Sequence, residues 1–376
     1  MRWHGVAWYP EYWPGSRWDE DLRLMRETGV DLVRVGEFAW SAMEPADGRF
    51  DFAWLADAVA RAHRAGIATL LCTPGAAAPA WLTVGHPETT VLRLDGRRAQ
   101  HGGRRHSCLQ QPAYRQRANR VADALAAAAR GWAGVMGWQL DNEFGPEAGW
   151  CHCERCQDGF RAWLSQRYGT VAALNAAWQT RFWSIEYGSW EQVRLAEPHE
   201  MSAARLDTRR YRSDAFRGFA AEQATAVRAH SGRSVPVTTN GMGPLFKPID
   251  YQRLYADLDR AAVDLYYDLC TQDANALTHS VFRGIKPGAP FWLTETGSGA
   301  LSADKAPDPR QLRAWAWSAW AAGCEMLCYF RWRTALSGQE QELQGILEHS
   351  GRPGRRQRAV AALCGEFDAL RPHLDA

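Results

Sequence analysis

Two glutamates in this 376-residue chain stand where a pair of carboxylates could do acid–base work. Glu143 closes the stretch Trp138-Gln139-Leu140-Asp141-Asn142-Glu143, behind the apolar run Gly134-Val135-Met136-Gly137. Glu295 closes Pro290-Phe291-Trp292-Leu293-Thr294-Glu295, just ahead of Thr296-Gly297-Ser298-Gly299. Each stretch reads as a buried strand that delivers a carboxylate into a polar loop. Cleavage of a glycosidic bond with retention needs two such groups about 5–5.5 Å apart, one as nucleophile and one as acid/base. The acid/base must hold a proton near neutral pH, which burial or a neighbouring carboxylate favours. The nucleophile must stay ionised, which nearby donors favour. Arg104 and Asn142 are the donors the sequence offers, and Asn142 is also placed to donate to a sugar 2-hydroxyl. Either glutamate alone is more often a solvated strand-end group. The Asn-Glu pair, the matching second strand and nineteen Trp, whose flat faces suit sugar rings, point together to a glycosidase.

A second constellation is Cys151-His152-Cys153-Glu154-Arg155-Cys156, with Cys108 43 residues earlier (151 − 108). A C-x-C-x2-C run plus one remote thiol suits a closed zinc site of four thiolates. Such a site leaves no position open for water, so its metal is structural. It would pin the loop after the third strand to the loop after the fourth. His152 is an alternative ligand, and free loop thiols are the plainer alternative. Cys72, Cys270, Cys324, Cys328 and Cys364 lie in apolar or helical stretches and read as small buried hydrophobes.

The elements that must position these groups recur with a period of about 30 residues, strand then helix then Gly. Strands are expected at 4–9, 31–35, 67–72, 134–139, 235–239, 262–267, 290–294 and 325–330. Helices are expected at 18–28, 54–65, 113–130, 206–230, 311–322 and 356–370, with Gly29, Gly66 and Gly323 as stops. Eight such units predict an α/β fold, one (β/α)8 TIM barrel over 1–376, with a long insertion after strand four at about 144–200. No G-x-G-x-x-G follows the first strand, which argues against an open dinucleotide-binding sheet. The strands of a barrel end at one mouth, so Glu143 and Glu295 can converge across its axis. Glu11, Glu37 and Glu44 also follow strands there and read as solvated or salt-bridged rim carboxylates.

The net charge of +2 leaves no electrostatic footprint for nucleic acid or a membrane surface. The first residues lack the apolar core of a secretory signal, and no run approaches the roughly 18 apolar residues of a membrane span, so the cytoplasm is the expected location.

The motifs together resemble glycoside hydrolase family 42, the β-galactosidases of the retaining clan A. The resemblance is carried by Tyr9-Pro10-Glu11, Gly36-Glu37-Phe38-Ala39-Trp40-Ser41, Glu44-Pro45, Thr73-Pro74, Pro79-Ala80-Trp81-Leu82, Gly137 to Glu143, the cysteine cluster and Tyr329-Phe330-Arg331-Trp332. It implies Glu143 as acid/base, Glu295 as nucleophile, and Arg104, Asn142 and Glu340 as sugar contacts; apart from the resemblance, Trp332, like Trp40 and Trp81, is a candidate to stack on a sugar ring, with core packing the better reading for any single Trp. It implies Cys108, Cys151, Cys153 and Cys156 as zinc ligands and a β-galactoside as substrate. The chain departs from the family's pattern in carrying Leu343 where a His is expected and no Trp at 301–305. The family's chains usually continue into a trimerisation domain, which is not part of this sequence. Two alternatives stand beside the β-galactosidase: a related exo-glycosidase such as an α-L-arabinopyranosidase, and a degenerate carbohydrate-binding barrel.

Overall fold

A computed structural model describes residues 3–232, 234–267, 272–301 and 306–374. Eight strands run parallel: β1 (Trp3–Ala7), β2 (Leu32–Val35), β3 (Ala68–Cys72), β4 (Val135–Gln139), β5 (Val237–Thr238), β6 (Ala262–Asp264), β7 (Phe291–Gly297) and β8 (Cys324–Phe330). Neighbours pair in the order β5-β4-β3-β2-β1-β8-β7-β6. The remaining gap, between β5 and β6, is spanned through Gly241. Its N–H donates to Ala262 O at 3.0 Å and its carbonyl accepts from Asp264 N at 2.7 Å. A Cβ there would lie 2.9 Å from the Tyr251 ring, so the close approach that nearly closes the barrel requires glycine.

The helices lie outside. Trp18–Thr28 packs against Ala53–Arg64 and Arg355–Leu374, Pro112–Ala128 against Ser202–Ser231, and Pro309–Ala321 against β8. Trp18–Thr28 buries Trp18, Asp21, Leu22, Leu24, Met25 and Thr28, the 3–4 residue spacing of one helix face. It stops at Gly29, whose φ of 88° is the left-handed cap that glycine adopts without strain. The main core fills the space between strands and helices. Leu32, Leu70, Ala262, Trp292 and Met326 form a separate plug inside the barrel. Arg34, two residues beyond Leu32, shares its face of β2 one layer nearer the mouth.

Several boundaries differ from the sequence expectations. β7 continues through Gly297, so Glu295 lies within the strand. β6 ends at Asp264, three residues short of the expected Tyr267. β5 is only Val237–Thr238, and the connection to β6 holds a four-residue helix, Tyr251–Leu254. The helix Gln272–Ile285 precedes β7 without a sequence expectation. Between β4 and the helix Ser202–Ser231, two helices, Glu154–Tyr168 and Val171–Trp178, build a satellite core around Phe160, Leu164, Leu174 and Trp178. Cys72, Cys324, Cys328 and Cys364 are buried as expected, while Cys270 and 302–305 lie outside the described residues. Among the described residues no helix is long and apolar enough to cross a membrane.

Candidate active site

Glu143 sits four residues past β4 on a backbone held in an uncommon shape. Asp141 has φ 59° and Glu143 φ 41°, positions that cost about 1–3 kcal/mol each and persist only where the surroundings fix them. The surroundings do fix them. Asp141 N donates to Thr73 Oγ1 at 2.7 Å, Asn142 N to Asp141 Oδ1 at 2.7 Å, and Glu143 N to Asn240 Oδ1 at 2.8 Å. Arg105 clamps the Asp141 carboxylate at 2.6 Å, with both side chains buried. The Glu143 carboxylate then meets Arg104 Nη2 at 2.8 Å.

Glu295 projects from β7 into the same space. It accepts from Arg34 Nη1 at 2.6 Å and from the Tyr266 hydroxyl at 2.5 Å. Arg34 is wholly buried. It also lies 3.2 Å from Glu37 and donates to Asn142 Oδ1 at 2.6 Å. A third carboxyl, Asp264 at the end of β6, completes the group. Carboxylate oxygens of Glu143, Asp264 and Glu295 all lie within 4.8 Å of one another. Asp264 accepts from Asn240 Nδ2 at 2.5 Å and from Thr294 Oγ1 at 3.0 Å.

The crowding sets the proton affinities. Burial pushes the Glu143 carboxyl up and the charge of Glu295 pushes it further, while Arg104 and a hydrogen bond with Asp264 oppose. Asp264 is driven well above the ordinary carboxyl range by burial and then by Glu295 and Glu143. Beside this group opens a cleft of about 640 Å³ whose wall includes Tyr9, Glu11, Phe38, Arg104, Arg331 and Glu340. Burial raises the Glu340 carboxyl, and burial pushes Glu11 up to about 8.

The structure thus brings together Glu143, Glu295, Asn142, Arg104 and Glu340. Trp332 is 1% exposed, packed in the main core and not in the cleft wall. Arg104 and Asn142 are not the donors that serve Glu295. Arg104 pairs with Glu143, and Asn142 accepts from Arg34 and from Asn240 Nδ2 at 2.9 Å. Arg34, Asp264 and Tyr266 belong to no motif. The signal that marks the first two is a lone charge inside an apolar strand, Leu32-Val33-Arg34-Val35 and Ala262-Val263-Asp264-Leu265, which a buried strand tolerates only with a partner. Of the rim glutamates, Glu37 and Glu44 are fully buried, and each has an arginine partner, Arg34 and Arg120 respectively.

The four cysteines converge as their spacing predicts. Cys108 Sγ lies 3.4 Å from Cys156 and 3.8 Å from Cys153, and Cys153 lies 3.7 Å from Cys156, with Cys151 in the same group. A tetrahedron of metal–sulfur bonds of ~2.3 Å has edges of about 3.8 Å, so this group could hold a metal ion. Leu92 N and Gln111 Nε2 donate toward Cys151 and Cys153, as donors do toward thiolates. His152 stands outside the group, its Nε2 3.3 Å from Arg212.

A parallel eight-stranded barrel with opposed carboxylates at the carboxyl ends of β4 and β7 defines a glycoside-hydrolase barrel. The sequence profile of glycoside hydrolase family 42, described as beta-galactosidase, matches residues 7–370, and the chain belongs to that family. It is 40% identical to beta-galactosidase BgaA of a Thermus species, over 97% of this chain and 60% of that protein. It is 36% identical to beta-galactosidase BgaH of Haloferax lucentense, over 96% and 58%. The structure of the beta-galactosidase from the psychrophilic Marinomonas ef1 superposes with a TM-score of 0.92 at 33% identity, covering all of this chain and 60% of that one. The chain therefore spans about 60% of the length of the curated relatives it matches.

Proposed function

We propose that this chain is the catalytic barrel of a retaining β-galactosidase, with Glu295 as nucleophile and Glu143 as acid/base. The observation that carries this is the opposed pair of buried carboxylates within 4.8 Å, each with a different set of donors. In the first step Glu295 attacks the anomeric carbon. The glycosidic C–O bond breaks, and Glu143 gives its proton to the departing oxygen. In the second step Glu143, now a carboxylate, takes a proton from water. That water attacks the anomeric carbon, and Glu295 leaves, restoring the β configuration. Arg34 and Tyr266 both donate to Glu295 and aim its carboxylate. Burial beside Glu295 favours a protonated Glu143 in the resting site. Asn142 Nδ2, 3.4 Å from Glu143, is a donor for the sugar 2-hydroxyl, and Glu340 in the cleft wall is an acceptor for a further hydroxyl.

A panel of nitrophenyl glycosides tests this reading. The β-D-galactoside should turn over with the highest kcat/KM. A higher value for the α-L-arabinopyranoside would shift the substrate. No turnover of any member would leave a carbohydrate-binding barrel.

We also infer that the ion suited to the cysteine group is zinc. The support is an all-sulfur donor set, with three sulfur–sulfur distances of 3.4–3.8 Å and all four sulfurs within 4.8 Å, which soft thiolate-binding metals favour. Cys108, Cys151, Cys153 and Cys156 would hold it, and its contribution would be structural. Four such thiols also suit a reducing cytoplasm.

A further inference from the structure

The three-carboxyl group poses a charge problem that the two-glutamate mechanism leaves open. Four carboxyls crowd this part of the barrel: Glu37, Glu143, Asp264 and Glu295. Glu37 is 0%, Glu295 4%, Asp264 6% and Glu143 7% exposed. Two cations answer them. Arg34 serves Glu37 and Glu295, and Arg104 is shared between Glu143 and Glu147. Asp264 has no cation of its own among the described residues. Its partners are the Asn240 amide and the Thr294 hydroxyl, both neutral. An ionised carboxylate so buried, with two other carboxylates within 4.8 Å and no positive partner, is strongly disfavoured. Glu295, by contrast, accepts from the Arg34 guanidinium and the Tyr266 hydroxyl.

Resting on the assignment of Glu143 as acid/base, we propose that Asp264 is a positioning residue. It stands as a neutral acid within 4.8 Å of both glutamates and lends its proton to a hydrogen bond that holds Glu143 through both steps. Neutrality makes the arrangement work. A hydrogen bond between two carboxyl groups requires one proton, and Asp264, lacking a cation, is the group that keeps it when Glu143 has given its own away. In the second step the Glu143 carboxylate then faces a donor instead of a second negative charge. The chain Arg34–Asn142–Asn240–Asp264 fixes the order of the amides. Asn142 Oδ1 accepts from Arg34, so its amide nitrogen is turned toward Glu143. Asn240 Oδ1 accepts from Glu143 N, so its amide nitrogen is turned toward Asp264.

The other titratable groups facing Asp264 leave the assignment intact. Glu295 comes from β7, Glu143 follows β4, Arg34 comes from β2 and Cys328 from β8. The phenols of Tyr251, Tyr255 and Tyr266 complete the set, and burial keeps these phenols and the Cys328 thiol protonated.

The test compares Asp264→Asn, Asp264→Ala and the unaltered chain, reading kcat/KM against pH. Asparagine has the size of the neutral acid and carries a donor. With a neutral Asp264, the Asn variant keeps its basic limb in place, because no charge is removed. The Ala variant loses the donor, its basic limb moves to higher pH, and its kcat falls on the order of tenfold. If Asp264 is ionised, Asp264→Asn removes a like charge, and the basic limb moves to lower pH by about one unit or more. That result overturns the proposal. The infrared difference between the unaltered chain and the Asn variant gives a reading without turnover. Loss of a protonated-carboxyl band supports the neutral acid, and loss of a carboxylate band rejects it. This second reading stands whether or not Glu143 is the acid/base, whose role azide rescue tests on its own.

Discussion

The guanidinium of Arg34 and the carboxylate of Glu295 meet at 2.6 Å inside the barrel, with Arg34 wholly buried and the Glu295 side chain 5% exposed. Neither charge has bulk water to stabilise it, so each depends on the other. This pair is the ion pair that holds the strand-seven glutamate, while Arg104 pairs with Glu143 and Glu147. Replacing Arg34 by Met should lower kcat on the order of 10²–10³-fold, the scale seen when one preorganised electrostatic partner is removed. It should also cost about 3–5 kcal/mol of stability, because Glu37 and Glu295 would remain buried without their cation. Steady-state kinetics beside thermal melts check both, and an unchanged kcat would remove Arg34 from the mechanism.

The two glutamates should respond differently to azide. Glu295→Gly should abolish turnover, and added azide should restore it with a glycosyl azide of α configuration. Glu143→Gly should yield the β-azide instead. Product NMR decides, and exchanged configurations would exchange the two roles. Net inversion by the unaltered chain would reject the retaining route.

Glu11 gives a stability signature. Its folded carboxyl is pushed up to about 8 by burial, with Glu37 adding to the effect. An unfolded Glu titrates near 4.3. The folded state therefore binds the extra proton, and stability is fully present below the unfolded value and lost as pH rises toward the folded one. Melting temperatures of the unaltered chain relative to Glu11→Gln should fall from about pH 5 to about pH 8. A constant difference across that range would show Glu11 to be ionised in the fold.

Metal analysis should find about one zinc per chain. Chelation should lower the melting temperature more than it lowers the initial rate, because four thiolates leave no catalytic opening. Cys153→Ser should reproduce the loss of stability. Metal-free protein with an unchanged melting curve would show the cysteines to be incidental.

The amino-acid sequence determined the repeating strand, helix and glycine order and the two strands that carry the glutamates. It also determined which four cysteines meet. Most of these are local patterns: Gly29 has to cap because φ of 88° suits glycine, and C-x-C-x2-C is short enough to close on itself, whereas Cys108, 43 residues earlier (151 − 108), reaches that group only through the fold. Tertiary structure decided the rest. Parallel barrel strands are buried on both faces, so β2 and β6 carry no alternation that says which side chains point inward. Only the nearly closed ring turns Arg34 and Asp264 toward Glu295, from positions 261 and 31 residues away along the chain (295 − 34 and 295 − 264). The same packing placed Trp332 in the core and turned Arg104 to Glu143. Residue type announced that Arg34 needs a partner; which partner it finds depends on strands meeting across the barrel, and no spacing in the sequence encodes that distance.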